Sequence, residues 1–365
     1  MLGVKICALE THSGGEARTA AVDYWRIVNP LKHTKLDVDF KKSLIDPKDN
    51  KSIEKSWVDV GKKYDILYSS YIDSAKPYAY LRAIEEKYGL IHVMDLDDNI
   101  YEVDEMSPAA LAYSKGSETL LQSAVIVNDV EYVTVTTKNL KDTLERYGRK
   151  KPTFVMPNYI DAKLWEMPKP KERDDNKVNI IYQGSSTHFS DITNTGFLEA
   201  CLRIYDTYGN KVHFYFMGMP PIGFVERFPR GRVDYIKGER DYYDFVKVWK
   251  EKRHKFDIGV APLLQSSFND CKSEIKYYEG AMSYLPMVLS KAPNYLKVAT
   301  NDVNGFLVDN TPQAWFDRLQ RLVDSHRLRK TMGEMAHKNV LDNYTIDKKA
   351  YLWEELLKEI GGVKS

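Results

Sequence analysis

Short apolar runs, each followed by a polar turn and a helix-period stretch, constrain this chain more than any other feature. They fall at 4–9, 66–68, 91–94, 124–127 and 132–135, then at 178–182, 212–217, 257–261 and 287–289. Runs that are apolar at most positions, without strict alternation, read as strands buried on both faces. Intervening helices supply the cover, so the pattern predicts parallel sheets in α/β layers.

The series is interrupted at 167–177, a charged stretch holding Pro168 and Pro170 that reads as a linker. With 365 residues and about 150 per domain, the chain divides into a first α/β domain at 1–165, a linker at 166–177 and a second α/β domain at 178–344. The two face each other across a hinge. At the C-terminus, Trp353, Leu356, Leu357 and Ile360 fall at i, i+3, i+4 and i+7. They form one apolar stripe on a helix within 345–362 that needs a surface, expected to be the first domain. No internal repeat or low-complexity tract occurs.

Composition narrows the function. Hydrophobic residues at 43% and charged residues at 29% exclude wholesale disorder. Lys plus Arg (53) nearly balances Asp plus Glu (52), which argues against nucleic-acid binding as the main task. The basic run 146–151 reads as a solvated loop or as a contact for an anionic acceptor or a membrane surface. Three cysteines, Cys7, Cys201 and Cys271, match neither a disulfide framework nor a zinc site. No signal-peptide pattern and no membrane-length apolar window is present, so the expected location is cytoplasmic.

Four stretches carry candidate chemistry. After the first run, Gly14 and Gly15 precede an alanine-rich helix; they read as a plain turn or as an anion cradle at a helix N-terminus. No G-x-G-x-x-G is present. Segment 270–282 is the most informative. Asp270 reads as an N-cap, and at about 100° per residue Lys272, Lys276 and Glu279 lie within about 60° of one another. Two ammoniums suit a diphosphate and a carboxylate suits paired hydroxyls; a solvated Lys/Glu face is the other reading. Segment 183–188 brings Gly184, Ser185 and His188 to the end of a strand. Asp95, Asp97 and Asp98 follow another, as a metal-binding D-x-D or as capping acids.

These residues, taken in order, resemble the retaining GT-B glycosyltransferases of family 4 (glycosyl transferases group 1), and the likeness covers nearly the whole chain. It rests on 154–161 (Phe-Val-Met-Pro-Asn-Tyr-Ile-Asp), 133–140, 257–263, Lys272-Ser273, Lys276, Glu279-Gly280-Ala281, 286–290 and 304–308. Trp315, the stretch 327–344, and 184–188 with Asp191 add to it. The resemblance implies two Rossmann-like domains with a nucleoside-diphosphate sugar in the cleft, held mainly by the second. It implies Glu279 on the ribose, Lys276 with Lys272 at the diphosphate, and Ser273 among the donor-binding residues. Gly14 and Gly15 would lie beside the diphosphate and acceptor, with Gly184, Ser185 and His188 at the donor. Asp98 stands about where the family often has a histidine near the donor sugar. The family's two glutamates eight positions apart are incomplete here: Cys271 takes the first place and Asp270 is its nearest substitute. The implied reaction is transfer to an acceptor hydroxyl with retention, without an essential metal or other cofactor. Acceptors in such a family include saccharides, lipid-linked glycans, proteins and modified DNA bases. Alternatives on the same fold are a nucleotide-sugar epimerase, a phosphorylase or a non-catalytic sensor.

Overall fold

The structure, a computed structural model, describes residues 4–12, 18–42, 50–171, 176–185, 188–218 and 224–362. Gly14 and Gly15 lie outside the described residues.

Two six-stranded sheets organise the chain. The first contains β1 (Lys5–Glu10), β2 (Asp37–Lys42), β3 (Ile66–Ser70), β4 (Ile91–Leu96), β5 (Tyr132–Val135) and β6 (Thr153–Val155), in the order β2-β1-β3-β4-β5-β6. The second contains β7 (Val178–Gly184), β8 (Val212–Gly218), β9 (Val233–Lys237), β10 (Ile258–Ala261), β11 (Met287–Ser290) and β12 (Phe306–Val308), in the order β12-β11-β10-β7-β8-β9. Every pairing is parallel, with Ile6 opposite Ile66 and Ile66 opposite Ile91 in the first sheet, for example.

The central strands are buried on both faces, as parallel sheets require. Along β1, Cys7 and Leu9 enter one apolar cluster while Ile6 and Ala8 enter another. Along β7, Ile180 and Tyr182 face one cluster and Ile181 faces the other. The helix Tyr351–Ile360 packs Trp353, Leu356 and Leu357 into the cluster of Ile6 and Ala8. Trp353 also donates its indole N–H to the Tyr68 hydroxyl at 3.4 Å.

One apolar run departs from expectation. Residues 124–127 are not a strand but part of the helix Glu118–Asp129, which buries Ser123, Ile126 and Val127 and exposes Leu121 and Val125. Four apolar residues fit either period. The helix wins because Ser117 caps it, accepting from Leu120 N, and because it continues past both ends of the run.

In each sheet the strand order reverses direction once, between β1 and β3 in the first and between β7 and β10 in the second. Ligands in such sheets bind beyond the strand C-termini at this switch point. The first sheet brings His12, Ser70 and Asp97 to that end, and the second brings Gly184, Ser185 and His188. A shared apolar cluster joins the domains, with Tyr24, Trp25 and Val28 packed with Trp165, Tyr242 and Trp249. The Tyr24 ring stacks on Tyr242 at 4.1 Å between centroids.

Candidate functional site between the two sheets

A cleft of about 550 Å³ opens where the two switch points meet. The first domain lines it with Ala21, Val22, Trp25, Asp97 and Asp98. The second lines it with Gly184, Ser185, His188, Lys272, Ser273, Lys276 and Glu279, together with Gln183, Tyr242 and Tyr295. Nine of the residues singled out in the sequence therefore share one cavity. Asp270 does not line it.

The segment around Asp270 folds differently from the single helix expected. Asp270 sits in a short 3₁₀ turn, Asn269–Cys271, Lys272 follows in extended conformation, and the helix begins only at Ile275. Asp270 is thus not the N-cap, and Lys272 is not on the helix of Lys276 and Glu279. The first domain holds the turn in place. Asn139 donates to Asp270 O at 2.8 Å and Thr137 to Cys271 O at 2.9 Å, while Cys271 is buried in a first-domain cluster. Docked carbonyls at 270 and 271 accept from that domain instead of from a helical turn. Lys272 reaches the cleft regardless, pairing with Asp98 across it at 3.2 Å.

The helix Ile275–Met282 places Lys276 in its first turn and Glu279 one turn on, both pointing at the cleft. Lys276 Nζ is buried with no hydrogen-bond partner among the described residues and lies 5.0 Å over the Tyr182 ring. Burial, helped by the charge of Lys272, pulls its pKa down to about 8 despite Asp191 and Glu279. Glu279 is 1% exposed. Its Oε2 accepts from Gln183 Nε2 at 2.8 Å and its Oε1 from the Tyr242 hydroxyl at 3.0 Å. Burial raises its pKa to about 7 against those two donors. A carboxylate offers about four acceptor positions, so each oxygen keeps one for a ligand hydroxyl.

His188 lies beside Asp191, Nδ1 to Oδ2 at 2.6 Å. Burial and the Lys276 charge push the histidine down to about 4, so it is neutral at pH 7. Asp191 lies below its usual range: burial opposes ionisation, but His188, Lys276 and the Leu264 amide outweigh it. With Nδ1–H aimed at Asp191, the imidazole keeps Nε2 as an acceptor. Ser273 Oγ accepts from Asn158 of the first domain at 2.9 Å.

Glycine shapes the far wall. At Gly218 φ is +106°, and a Cβ there would sit 2.0 Å from the Gly184 carbonyl oxygen. The ends of β7 and β8 therefore meet backbone to backbone, as no other residue allows.

The acids after β4 separate by role. Asp95 is buried and forms a two-pronged pair with Arg26, both contacts at 2.8 Å, with further bonds from Tyr68 and Thr134. It holds the core. Asp97 lines the cleft and is pushed up by burial and the neighbouring Asp98 charge. Among the described residues, no group of three His, Cys, Asp or Glu side chains is placed to hold a metal ion.

Sequence reasoning passed over Tyr242 and Trp25. A signal for Tyr242 existed: Asp241 precedes it and caps the helix Tyr242–Lys252 through the amides of Tyr243 and Asp244.

No family model and no curated protein sequence matches the chain. Solved structures do. Sucrose-phosphate synthase from Thermosynechococcus elongatus aligns with a TM-score of 0.68 at 13% identity, over 99% of this chain and 100% of that one. Anabaena HepE in complex with UDP-glucose aligns with a TM-score of 0.66 at 13% identity, over 98% and 100%. A glycosyltransferase from Rickettsia africae aligns with a TM-score of 0.58 at 14% identity, over 89% and 85%. The chain has the GT-B fold. Its cavity is therefore the interdomain cleft of a GT-B protein, with both Rossmann-like switch points turned toward it.

Proposed function

We propose that this GT-B protein is a glycosyltransferase that moves a sugar from a nucleoside-diphosphate sugar to an acceptor hydroxyl. The observation that carries the reading is Lys276, a buried ammonium without a hydrogen-bond partner, one turn from a buried carboxylate in the cleft. A diphosphate supplies what that ammonium lacks, and a ribose supplies hydroxyls to the open positions of Glu279. The HepE structures bound to UDP and UDP-glucose make a uridine-diphosphate sugar the first donor to test.

In this reading the catalytic task is to stabilise charge growing on the leaving diphosphate. Lys276 does so with the N-terminal amides of its helix, and Lys272 joins when it exchanges Asp98 for phosphate. His188 Nε2 accepts a hydroxyl at the donor, with Gly184, Ser185 and Ser273 beside it. Asp98 meets the donor sugar from the first domain. Asp270, outside the cavity, takes no direct part. Among the described residues no carboxylate is an evident nucleophile for double displacement, which favours same-face attack with retention, the acceptor proton passing to the leaving phosphate. The lysines and helix amides make an essential metal unnecessary. We further propose the division 1–165, 166–177 and 178–344, and a cytoplasmic enzyme; no helix of the described residues is long and apolar enough to cross a membrane.

The test is a donor screen that scores nucleoside-diphosphate release with and without acceptor pools, followed by the anomeric coupling constant of the product. Conversion of donor without acceptor makes the protein an epimerase, and dependence on free phosphate makes it a phosphorylase. Binding without turnover makes it a sensor.

A further inference from the structure

We propose that Asn294 accepts a hydrogen bond from a hydroxyl of the donor sugar and so sets which sugars the cleft takes, a role that rests on the transferase function proposed above. Asn294 follows β11 in the helix Pro293–Val298 and lines the interdomain cleft with Ser273, Lys276 and Tyr295. It is 1% exposed, and its Oδ1 is buried with no hydrogen-bond partner among the described residues. A buried carbonyl oxygen without a donor is uncommon, because it has lost water and gained no partner.

The amide cannot turn to relieve this. Its Nδ2 donates to Ser273 O at 2.9 Å, and a carbonyl accepts only from the nitrogen end of an amide. Burial raises the Tyr295 pKa, while the Asn294 amide opposes the rise, as an N–H facing the tyrosine oxygen does. With the nitrogen end held by protein groups, Oδ1 is the end left to a ligand.

The chemistry of that oxygen selects what it meets. An amide oxygen accepts and never donates, so the phosphate oxygens of a diphosphate, themselves acceptors, do not suit it. A hydroxyl does. Position selects further. Asn294 is tied to the backbone three residues before Lys276, whereas Glu279 stands three residues after it, about 4.5 Å along the helix axis. The polar groups therefore run in the order Glu279, Lys276, Asn294. A donor with its ribose at Glu279 and its diphosphate at Lys276 continues toward Asn294 with its sugar. The turn before the helix supplies no competing acid at that end. Asp270 does not line the cavity, and Cys271 is buried in a first-domain cluster.

The experiment is calorimetric titration of wild type and Asn294→Leu, which keeps the size and removes the carbonyl. The probes are UDP, UDP-glucose and four UDP-glucose analogues that each lack one hydroxyl of the sugar ring or its C6 arm. In wild type, one analogue should bind about tenfold more weakly than UDP-glucose. In Asn294→Leu, UDP should bind within about twofold of wild type and UDP-glucose about tenfold more weakly, and the penalty for that one analogue should vanish. An equal loss for UDP and UDP-glucose makes Asn294 a support for Ser273 and overturns its role at the sugar. A penalty that survives the substitution, or equal binding of all four analogues by wild type, overturns it too. Asn294→Ser, whose shorter side chain withdraws from the sugar, repeats the comparison where the leucine variant does not fold. Binding of UDP-glucose that Lys276→Met weakens and Asn294→Leu leaves unchanged removes Asn294 alone. No binding of UDP or UDP-glucose by wild type removes the proposed function and the role of Asn294 together.

Discussion

The Tyr242 hydroxyl donates to Glu279 Oε1 at 3.0 Å while its ring stacks on Tyr24 of the other domain. One side chain thus links the domain interface to the carboxylate assigned to the donor. Its backbone amide donates to Thr19 O at 2.9 Å, and the Thr19 amide donates to Asp241 at 2.6 Å. Removing only the hydroxyl in Tyr242→Phe keeps the stack and leaves Glu279 with Gln183 alone. The Glu279 pKa, already about 7, then rises further. Donor affinity at pH 7 should fall by roughly tenfold, the value of one charge-assisted hydrogen bond. Titrations across pH 6–9 check this, and an unmoved acid-side midpoint removes the role given to Tyr242.

Lys276 and Glu279 together define a pH window. Glu279 ionises as pH rises through about 7, and Lys276 loses its charge as pH rises through about 8. Donor affinity should therefore peak between the two, falling on the acid side with the carboxylate and on the basic side with the ammonium. A flat profile from pH 6 to 9 contradicts both assignments.

The same shift makes Lys276 a stability cost in the empty protein. Its folded pKa lies below the unfolded value, so the fold favours the neutral amine, and below about pH 8 the buried ammonium destabilises it. Lys276→Met keeps the length and removes the charge. Its melting temperature without ligand at pH 7 should be at least that of wild type, while donor affinity falls by about ten- to a hundredfold. A lower melting temperature with intact affinity makes Lys276 a structural residue.

Asp95 separates a structural acid from a metal ligand. Its pair with Arg26 is 1% exposed on each side, and Arg26 also donates to Met156 O and Asn158 at 2.7 Å each. Asp95→Asn strands a buried guanidinium, at a cost of about 3–5 kcal/mol in urea unfolding. Chelator should leave donor turnover unchanged. Turnover that disappears with chelator and returns with Mg²⁺ or Mn²⁺ restores the D-x-D reading of Asp95 and Asp97.

The sequence revealed central strands and hid edge strands. The apolar runs found β1, β3, β4, β5, β7, β8, β10 and β11, all interior to their sheets. The runs left out β2, β6, β9 and β12, the four edges: β2 and β9 are largely exposed and need no continuous apolar stretch, while β6 and β12 are only three residues long. β2 reads Asp-Val-Asp-Phe-Lys-Lys and β9 Val-Asp-Tyr-Ile-Lys. Lys276 and Glu279 were legible because both lie on one short helix. Asp270 was misread because contacts from Asn139 and Thr137, more than a hundred residues away, unwind its turn. The Asp241 cap marks Tyr242 as the start of a helix, but its role was hidden for the same reason, since that role lies in partners at Tyr24, Thr19 and Glu279.

The last prediction concerns the pair that spans the cleft. Lys272 and Asp98 sit on opposite domains at 3.2 Å, with side-chain exposures of 17% and 52%. A pair this open contributes at most about 1 kcal/mol, so it is a weak strut that a ligand can replace. In the proposed reading, a donor diphosphate competes for Lys272 and releases Asp98 toward the sugar. Asp98→Asn should therefore change affinity for the nucleoside diphosphate alone by no more than about fivefold. If the freed carboxylate then meets a sugar hydroxyl, the loss falls on transfer of the intact donor, by roughly ten- to a hundredfold in rate. Steady-state transfer measured beside equilibrium binding of the diphosphate separates the two effects. Wild-type transfer by Asp98→Asn would leave the pair as a strut and take Asp98 out of the site. A parallel loss in diphosphate binding would place its effect on Lys272 instead.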